Sequence, residues 1–328
     1  MPKSDVKVVI KLSSAAGEAG LGIPLILATK QGSAVPYTEC HSLDEVAKLF
    51  QNSTDVYKAA NLIFMQETPP EKIAVCGSTD TALDAIKAIK DKDWRQLIIV
   101  DLESDTEATV KNISDYIETT DKLYFTSASS KDGMPSLTDV DRTVIFVCGG
   151  DTPEAALVGA TASKAAGSFT YKNQILKGLT PMNLTDTEID AIHTAGGITF
   201  VTKAGDNVTS EGKAVSGEYI DIVDSKDYII KNITYRTQKL LNGADKIPYD
   251  NTGIAQLENV CVDVLQDAYN NGMIAVDDDG APDYSVDYAP RSETSAGDRA
   301  ERNYKLGKFS FALAGAIHTA TINGEIEV

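Results

Sequence analysis

The first residues of the chain alternate between apolar and charged side chains. Within residues 5–12, Lys7 and Lys11 point to one face and the opposite face is apolar. The apolar residues of that face are Val6, Val8, Ile10 and Leu12. A period of two residues is typical of a β-strand. Residues 13–22 are rich in Gly, Ala and Ser, so the pattern predicts a terminal strand joined to the body by a flexible linker.

The central part of the chain alternates between short apolar runs and segments with helical periodicity. The runs that predict strands are 23–29, 72–77, 96–101, 123–127, 143–148 and 198–202. The helices between them begin at residues suited to capping, which include Ser42, Ser53, Thr79 and Thr185. A further helix is expected over 151–166, with Asp151 or Thr152 as its cap. Strands separated by helices of about twelve residues predict parallel β-α units and an α/β layer.

The last third of the chain has a different pattern. We expect a strand over 218–223, a helix from Asp224 to about Asn242, and a second helix over 251–271 that ends at Gly272. Two strand-like runs follow, over 309–314 and 318–328. The second run places its apolar residues on one face, and these are Ile322, Ile326 and Val328.

These elements predict a mixed fold, α/β in the centre and α+β at the C-terminal end. The expected units are an N-terminal arm strand and linker over 1–30, a central α/β domain over 31–215, and a C-terminal core domain with its arm over 216–328. The C-terminal domain would hold two helices and a sheet that terminal strands complete.

The charge balance excludes two classes of partner. The chain of 328 residues has 48 acidic and 30 basic residues, a formal charge of −18. This charge repels nucleic-acid phosphates and anionic membranes, so neither is expected as a partner. One segment is locally basic, and its cations are Arg291, Arg299, Arg302, Lys305 and Lys308.

The reactive residues form no recognisable catalytic or metal-binding motif. The four cysteines, Cys40, Cys76, Cys148 and Cys261, lie far apart in sequence, which favours buried free thiols over a zinc or redox site. No G-x-S-x-G motif occurs, and the three histidines fit structural roles. The N-terminus is charged and unlike a signal peptide, and no apolar run is long enough to span a membrane. No catalytic, cofactor or metal site is therefore predicted.

One turn supports an alternative interpretation. Residues 149–153 read Gly-Gly-Asp-Thr-Pro and precede a predicted helix, an arrangement that can cradle an anion. Helix capping is the simpler explanation of the same residues. The alternative is a cytoplasmic α/β enzyme that acts on a small anionic substrate.

The order of short motifs from Asp151 onward resembles a known family. The motifs are Asp151-Thr-Pro-Glu-Ala-Ala-Leu157, Gly159, Ala162-Ser-Lys164, Gly167-Ser168, Lys172, Leu176-Lys-Gly178, Leu179-Thr-Pro181, Leu184-Thr-Asp-Thr-Glu188, Ser216-Gly-Glu-Tyr-Ile-Asp221, Lys246-Ile-Pro-Tyr249, Gly253, Asp298-Arg-Ala-Glu-Arg302 and Leu313-Ala-Gly-Ala-Ile-His318. The set is similar to the sheath proteins of contractile phage tails and phage-tail-like bacteriocins, in the compact branch without large outward domains. The resemblance covers residues 151–328, whereas residues 38–150 agree only in their α/β character.

The resemblance implies a structural protein that is not an enzyme and needs no cofactor. Subunits of such sheaths form stacked hexameric rings around a tail tube, and each subunit lends its terminal strands to sheets of its neighbours. On triggering, the sheath shortens and widens and drives the tube through a target envelope. The implied partners are other copies of the chain, the tail tube protein, and the baseplate and tail terminator proteins. The implied location is a phage tail or phage-tail-like particle made in the cytoplasm of a bacterial host.

The residues themselves also favour exchange of terminal strands. A strand behind a flexible linker has no local partner, and an unpaired strand edge is an association site. We predict that the exchanged residues are Val6, Val8, Ile10, Leu12, Ile322, Ile326 and Val328. The alternative is that both strands pair within their own subunit. The basic segment is expected to offset repulsion between acidic copies or to face an acidic tube. A tube or baseplate protein is a further alternative, although the chain is large for a tube subunit.

Overall fold

The computed structural model describes residues 21–29, 34–102 and 106–319. The strands are β1 (Ile23–Ala28), β2 (Val35–Cys40), β3 (Ile73–Gly77), β4 (Trp94–Ile99), β5 (Leu123–Ala128), β6 (Thr143–Val147), β7 (Gly197–Lys203), β8 (Asp206–Thr209), β9 (Tyr284–Tyr288) and β10 (Gly307–Phe311). The α-helices are α1 (Leu43–Leu49), α2 (Asp55–Phe64), α3 (Ala82–Ala88), α4 (Thr106–Ile117), α5 (Glu154–Thr161), α6 (Asp186–Thr194), α7 (Ile220–Gly243), α8 (Asn251–Asn270) and α9 (Ala296–Ala300). Within the described part, no helix is long and apolar enough to cross a bilayer.

The first eight strands form one sheet in the order β2-β3-β1-β4-β5-β6-β7-β8. Neighbouring strands from β3 to β7 run parallel, and the edge strands β2 and β8 are antiparallel to their neighbours. This arrangement confirms the predicted α/β layer. Since β1 lies between β3 and β4, residues that directly follow the predicted linker form an inner strand of the sheet.

Alternate residues of each central strand enter different cores. In β1, Ile26 and Ala28 pack with α1, α2 and α5, whereas Leu25 and Leu27 pack with α3 and α4 on the other face. Both faces of the strand are fully buried. The result is a helix–sheet–helix sandwich, which is why these strands read as continuous apolar runs.

The C-terminal part packs differently. Helices α7 and α8 form an antiparallel pair, as expected for long helices joined by a short loop, and the small sheet β10-β9 packs into the apolar cluster that the two helices share. Gly272 follows α8 with a φ of +79°, the left-handed conformation that glycine adopts readily after a helix. The predicted pair of helices and the presence of a C-terminal sheet are confirmed. Strand β9 was missed by the pattern.

The predicted strand over 218–223 is wrong, because α7 begins at Ile220 rather than at Asp224. Ile220, Val223, Asp224 and Asp227 are all buried, and a spacing of three, four and seven residues places them on one helical face. Two of the four are aspartates, which hid this face from a search for apolar residues.

Four other boundaries also differ from expectation. Thr81 rather than Thr79 caps α3, through an oxygen that accepts from Asp84 N. Thr54 rather than Ser53 caps α2, through an oxygen that accepts from Tyr57 N. The helix expected over 151–166 is restricted to α5, with Pro153 at its N-cap. The strand expected over 309–314 is β10, which starts two residues earlier and ends at Phe311.

A buried ionic network joins α7 to the large sheet. Arg95 of β4 has no exposed surface, and its guanidinium donates to Asp224 at 2.6 Å and to Asp227 at 2.5 Å. Arg142, just before β6, binds both carboxylate oxygens of Asp227 at 2.6 and 2.8 Å. The Tyr171 hydroxyl donates to the second oxygen of Asp224 at 2.9 Å. Burial opposes ionisation of Asp227, but the two arginines outweigh it and hold the pKa of Asp227 below its ordinary value.

We expect Asp227→Asn to lower the free energy of unfolding by about 3 kcal/mol or more, because it leaves two arginines facing a neutral amide in a buried site. Urea unfolding of the two proteins measures the difference. Asp115→Asn is the matched control, since its ion pair with Lys111 is more than half exposed, and it should change stability by less than about 0.5 kcal/mol. Equal effects of the two substitutions would show that the network does not hold α7.

Candidate assembly surface

The small sheet is a two-stranded antiparallel unit with one apolar and one polar face. Its register pairs Phe309 with Val286 and Phe311 with Tyr284. These four side chains pack with the core between α7 and α8. On the other face, Ser285 and Ser310 are exposed and their hydroxyls lie 2.8 Å apart. The sheet is therefore held by one face only.

Each strand of this sheet has a long edge without a strand partner among the residues that the structure describes. Strand β9 pairs with β10 and with no other named strand, and the reverse is also true. The flanking bridge between Ile274 and Leu313 lies beyond the end of the pair. Exposed edges of this kind present unpaired N–H and C=O groups and can accept a further strand.

Helix α8 and aromatic stacking hold the small sheet firmly. Cys261, Val264 and Leu265 of α8 form the floor beneath it and are completely buried. At the end of β9, the Tyr288 ring stacks on Tyr304 with centroids 5.7 Å apart. A rigid platform suits strand addition, because less conformational entropy is lost when the acceptor is already ordered.

The five predicted cations lie in the segment between β9 and β10 and at the start of β10. Arg291 donates from Nε to the Tyr249 carbonyl at 3.1 Å, and Arg299 donates to the Thr294 carbonyl. Lys305 forms ion pairs with Asp298 at 2.5 Å and with Glu301 at 3.4 Å.

Arg302 and Lys308 are the least compensated of the five. Both are exposed, and neither forms an ion pair with a described residue. Arg302 also has a φ of 56°, which is uncommon for a non-glycine residue. Lys308 stands opposite Asp287 in the strand register. Unlike Arg291 and Arg299, these two side chains also donate no hydrogen bond to a described residue, and both are exposed on this surface.

The predicted strand-exchange residues of the two arms, Val6, Val8, Ile10, Leu12, Ile322, Ile326 and Val328, lie outside the described residues. Their role stays a prediction. The domain bounds 1–30, 31–215 and 216–328 also stay a prediction, although β1 joins the large sheet at Ile23.

The turn over 149–153 lines a cavity of about 310 Å³ at the carboxyl ends of β4 and β5. Three carboxylates, those of Asp55, Asp151 and Glu154, face this cavity. Lys58 is already paired with Asp55 at 2.9 Å and with Asp151 at 3.1 Å. Burial raises the pKa of Glu154 to about 7. None of the described residues that line the cavity is a cation, and the neighbouring Lys58 is held by two aspartates, which argues against the alternative interpretation of the turn as an anion site.

The histidines and cysteines have structural surroundings. His193 Nε2 lies 2.8 Å from Ser210 Oγ, and His318 Nε2 lies 3.0 Å from Thr170 Oγ1. All four cysteines are buried and unpaired, as predicted. Sequence inspection missed the Arg95 network, for which the signal was an arginine directly before the strand predicted over 96–101.

Solved structures provide the comparison, since no protein-family model and no curated protein matches the sequence. The helical sheath of the anti-feeding prophage in its contracted state matches with a TM-score of 0.75 and 13% identity, over 99% of this chain and 98% of that one. The sheath of the extracellular contractile injection system PVC, also contracted, matches with a TM-score of 0.72 and 12% identity, over 100% and 98% of the two chains. The sheath tail protein of Desulfitobacterium hafniense matches with a TM-score of 0.58 and 9% identity, over 92% and 99%. The chain therefore has the fold of contractile sheath proteins.

We expect Glu154→Gln to change the pH dependence of stability. The folded protein holds this proton up to about pH 7, whereas an ordinary glutamate loses it near pH 4.5, so the native state gains stability as pH falls through this range. Gln cannot titrate. As pH rises from about 5 to about 8, the free energy of unfolding of the variant should therefore increase by roughly 2–3 kcal/mol relative to that of the native chain, as measured by urea unfolding.

Asp132→Asn, whose carboxylate is 94% exposed, provides the control and should show no such gain. Parallel stability profiles of the Glu154→Gln variant and the native chain would refute the assignment of a buried, largely protonated Glu154.

Proposed function

We propose that this chain is the structural subunit of a contractile tail sheath. It polymerises as stacked hexameric rings around a tail tube, and its contraction drives the tube through a target cell envelope. The observation that carries the proposal is the likeness to two contracted sheaths over essentially the whole length of both chains, which includes the large sheet, the helix pair and the small sheet.

Strand addition is the proposed link between copies. The two free edges of β9 and β10 accept the terminal strands of neighbouring subunits, so that a two-stranded sheet becomes larger by strands from other molecules. The apolar face of each arm then adds to the aromatic face that already covers α8. Each main-chain hydrogen bond contributes about 1 kcal/mol net, so several bonds in each of two arms form a durable tether.

Such tethers suit a machine that changes shape without dissociating. The Gly-, Ala- and Ser-rich linker predicted over 13–22 would let the subunit body rotate while its arm stays paired with a neighbour. The buried Arg95 network keeps α7, and with it the small sheet, in a fixed position on the α/β sandwich. Each subunit therefore moves as one rigid body, and the linkers absorb the change.

The charge of the chain sets a second requirement. Copies that each carry a charge of −18 repel when they are packed. We propose that the exposed cations near β10, above all Arg302 and Lys308, lie against acidic surfaces of neighbouring copies or of the tube. Exposed ion pairs contribute little individually, so their main effects are to reduce repulsion and to select orientation.

The remaining partners follow from the same proposal. They are the tail tube protein along the inner surface, and the baseplate and tail terminator proteins at the two ends of the stack. The sheath is part of a phage tail or phage-tail-like particle that is made in the cytoplasm of a bacterial host. The proposed role is mechanical, so it involves no catalysis and no cofactor, and no contact with nucleic acid or insertion into a membrane.

We expect the double substitution Val8→Asn and Ile10→Asn to abolish sedimentable polymers while the monomer stays folded, because it removes the apolar face of the arm without altering the body. Lys7→Asn with Lys11→Asn changes the opposite face of the same strand and should preserve polymers. Negative-stain images and circular dichroism measure the two properties. Normal polymers from the Val8 and Ile10 variant would contradict strand exchange by this arm.

We expect Arg302→Glu with Lys308→Glu to raise the concentration needed for polymerisation by roughly threefold to tenfold at low salt, with a smaller effect near 1 M salt. Lys111→Glu with Lys131→Glu is the charge-matched control, since both side chains are more than half exposed and lie elsewhere on the subunit. Light scattering over a dilution series measures the threshold. If the two double variants behave alike, net charge rather than the position of these cations governs assembly.

A further inference from the structure

A short segment crosses from the small sheet to the α/β sandwich. We call residues 312–319 the C-terminal strap. Its first half is paired on the side of the small sheet, where Ala312 N donates to Asp283 O and Ala314 N donates to Met273 O, both at 2.9 Å. Its second half reaches the sandwich through His318. The strap therefore connects the acceptor sheet to the body of the subunit.

The imidazole of His318 is inserted into the body in a specific way. Its Nε2 lies 3.0 Å from Thr170 Oγ1, and its ring meets Tyr219 edge to face with centroids 4.9 Å apart. The side chain is only 10% exposed, whereas the preceding Ile317 is 90% exposed. Apolar burial alone would favour the isoleucine, so directed polar and aromatic contacts hold this end of the strap.

The charges around His318 favour its neutral form. Burial is the largest cause that lowers its pKa, and Lys172 and Lys213 act in the same direction. Glu211 acts against them, with Oε1 3.5 Å from Nδ1, but Glu211 is itself paired with Lys172 at 3.5 Å. The pKa of the docked histidine therefore lies below its ordinary value of 6.5. A released strap binds protons more readily than a docked one, so docking is complete above this value and weakens as pH falls below it.

We propose that His318 is a latch that holds the C-terminal strap on the α/β sandwich at neutral pH and releases it in acid. Release frees the strap from the body at a point just before residues 320–328, and it leaves the pairing of β9 with β10 intact. This inference goes beyond the proposed function, because it concerns contacts within one copy and does not require a polymer.

Limited proteolysis of the unassembled full-length chain tests the latch, with mass spectrometry of the cleavage products from within the strap and with rates corrected for the pH dependence of the protease. In the native chain, protection of the strap from cleavage should fall between about pH 7.5 and about pH 5.5. His318→Ala should reduce protection about tenfold at the higher pH, the loss expected for one partly buried hydrogen bond, and should remove the pH response. His318→Gln, which can still bond to Thr170 but cannot titrate, should keep protection at both pH values.

His193→Gln is the matched control, because His193 also titrates near Glu211 and Lys172 but does not touch the strap. This variant should retain the pH response of the native chain. Cleavage within β4 and β5 reports whether the whole fold opens in acid, and both strands should stay protected. Strap protection that is independent of pH in the native chain, unaffected by His318→Ala, or lost in acid only together with β4 and β5 would overturn the proposal. Polymer formation is measured separately, so failure of the latch is distinguishable from failure of the proposed sheath function.

Discussion

The arrangement of this chain depends on a buried charge network between a strand and a helix. Arg95 is completely buried near the amino end of β4, an inner strand of the large sheet, and Asp224 and Asp227 of α7 bind its guanidinium. An isolated charge at this depth would be very unfavourable, so the two elements can separate only at a large cost in free energy. The geometry also matters, because the bidentate contact of Arg142 with Asp227 fixes the rotation and register of α7. An apolar contact would hold the helix without specifying its position so narrowly.

Because this junction is rigid, the small sheet keeps a fixed position relative to the α/β sandwich. The open edges of β9 and β10 lie on α8, α8 packs on α7, and the ionic network fixes α7 to the sandwich. A strand added to this sheet by another subunit would therefore transmit force to the whole body. In the proposed sheath, stored free energy is released when bodies rotate relative to one another, and main-chain pairing in the small sheet keeps the lattice connected.

Much of this architecture could be predicted from the sequence, because buried parallel strands and amphipathic helices leave clear periodic patterns. The strands around Leu25, Ile98 and Phe146 were all evident in this way. The start of α7 was not, because its buried face includes Asp224 and Asp227, and a carboxylate normally indicates solvent. Strand β9 was missed for a different reason, since its alternation of Tyr284, Val286 and Tyr288 with polar residues extends over only five residues and follows an acidic turn. The pairing of Asp224 and Asp227 with Arg95 joins residues more than 120 positions apart, which local periodicity does not reveal.

The most direct test of the proposed role is a cryo-EM reconstruction of the assembled particle at a resolution that traces the main chain. The account predicts a hollow helical array with six subunits in each ring, in which β9 and β10 of every subunit are flanked by terminal strands that trace to neighbouring copies. A lattice in which both termini of every subunit fold back onto their own body, with the edges of β9 and β10 uncovered, would contradict it.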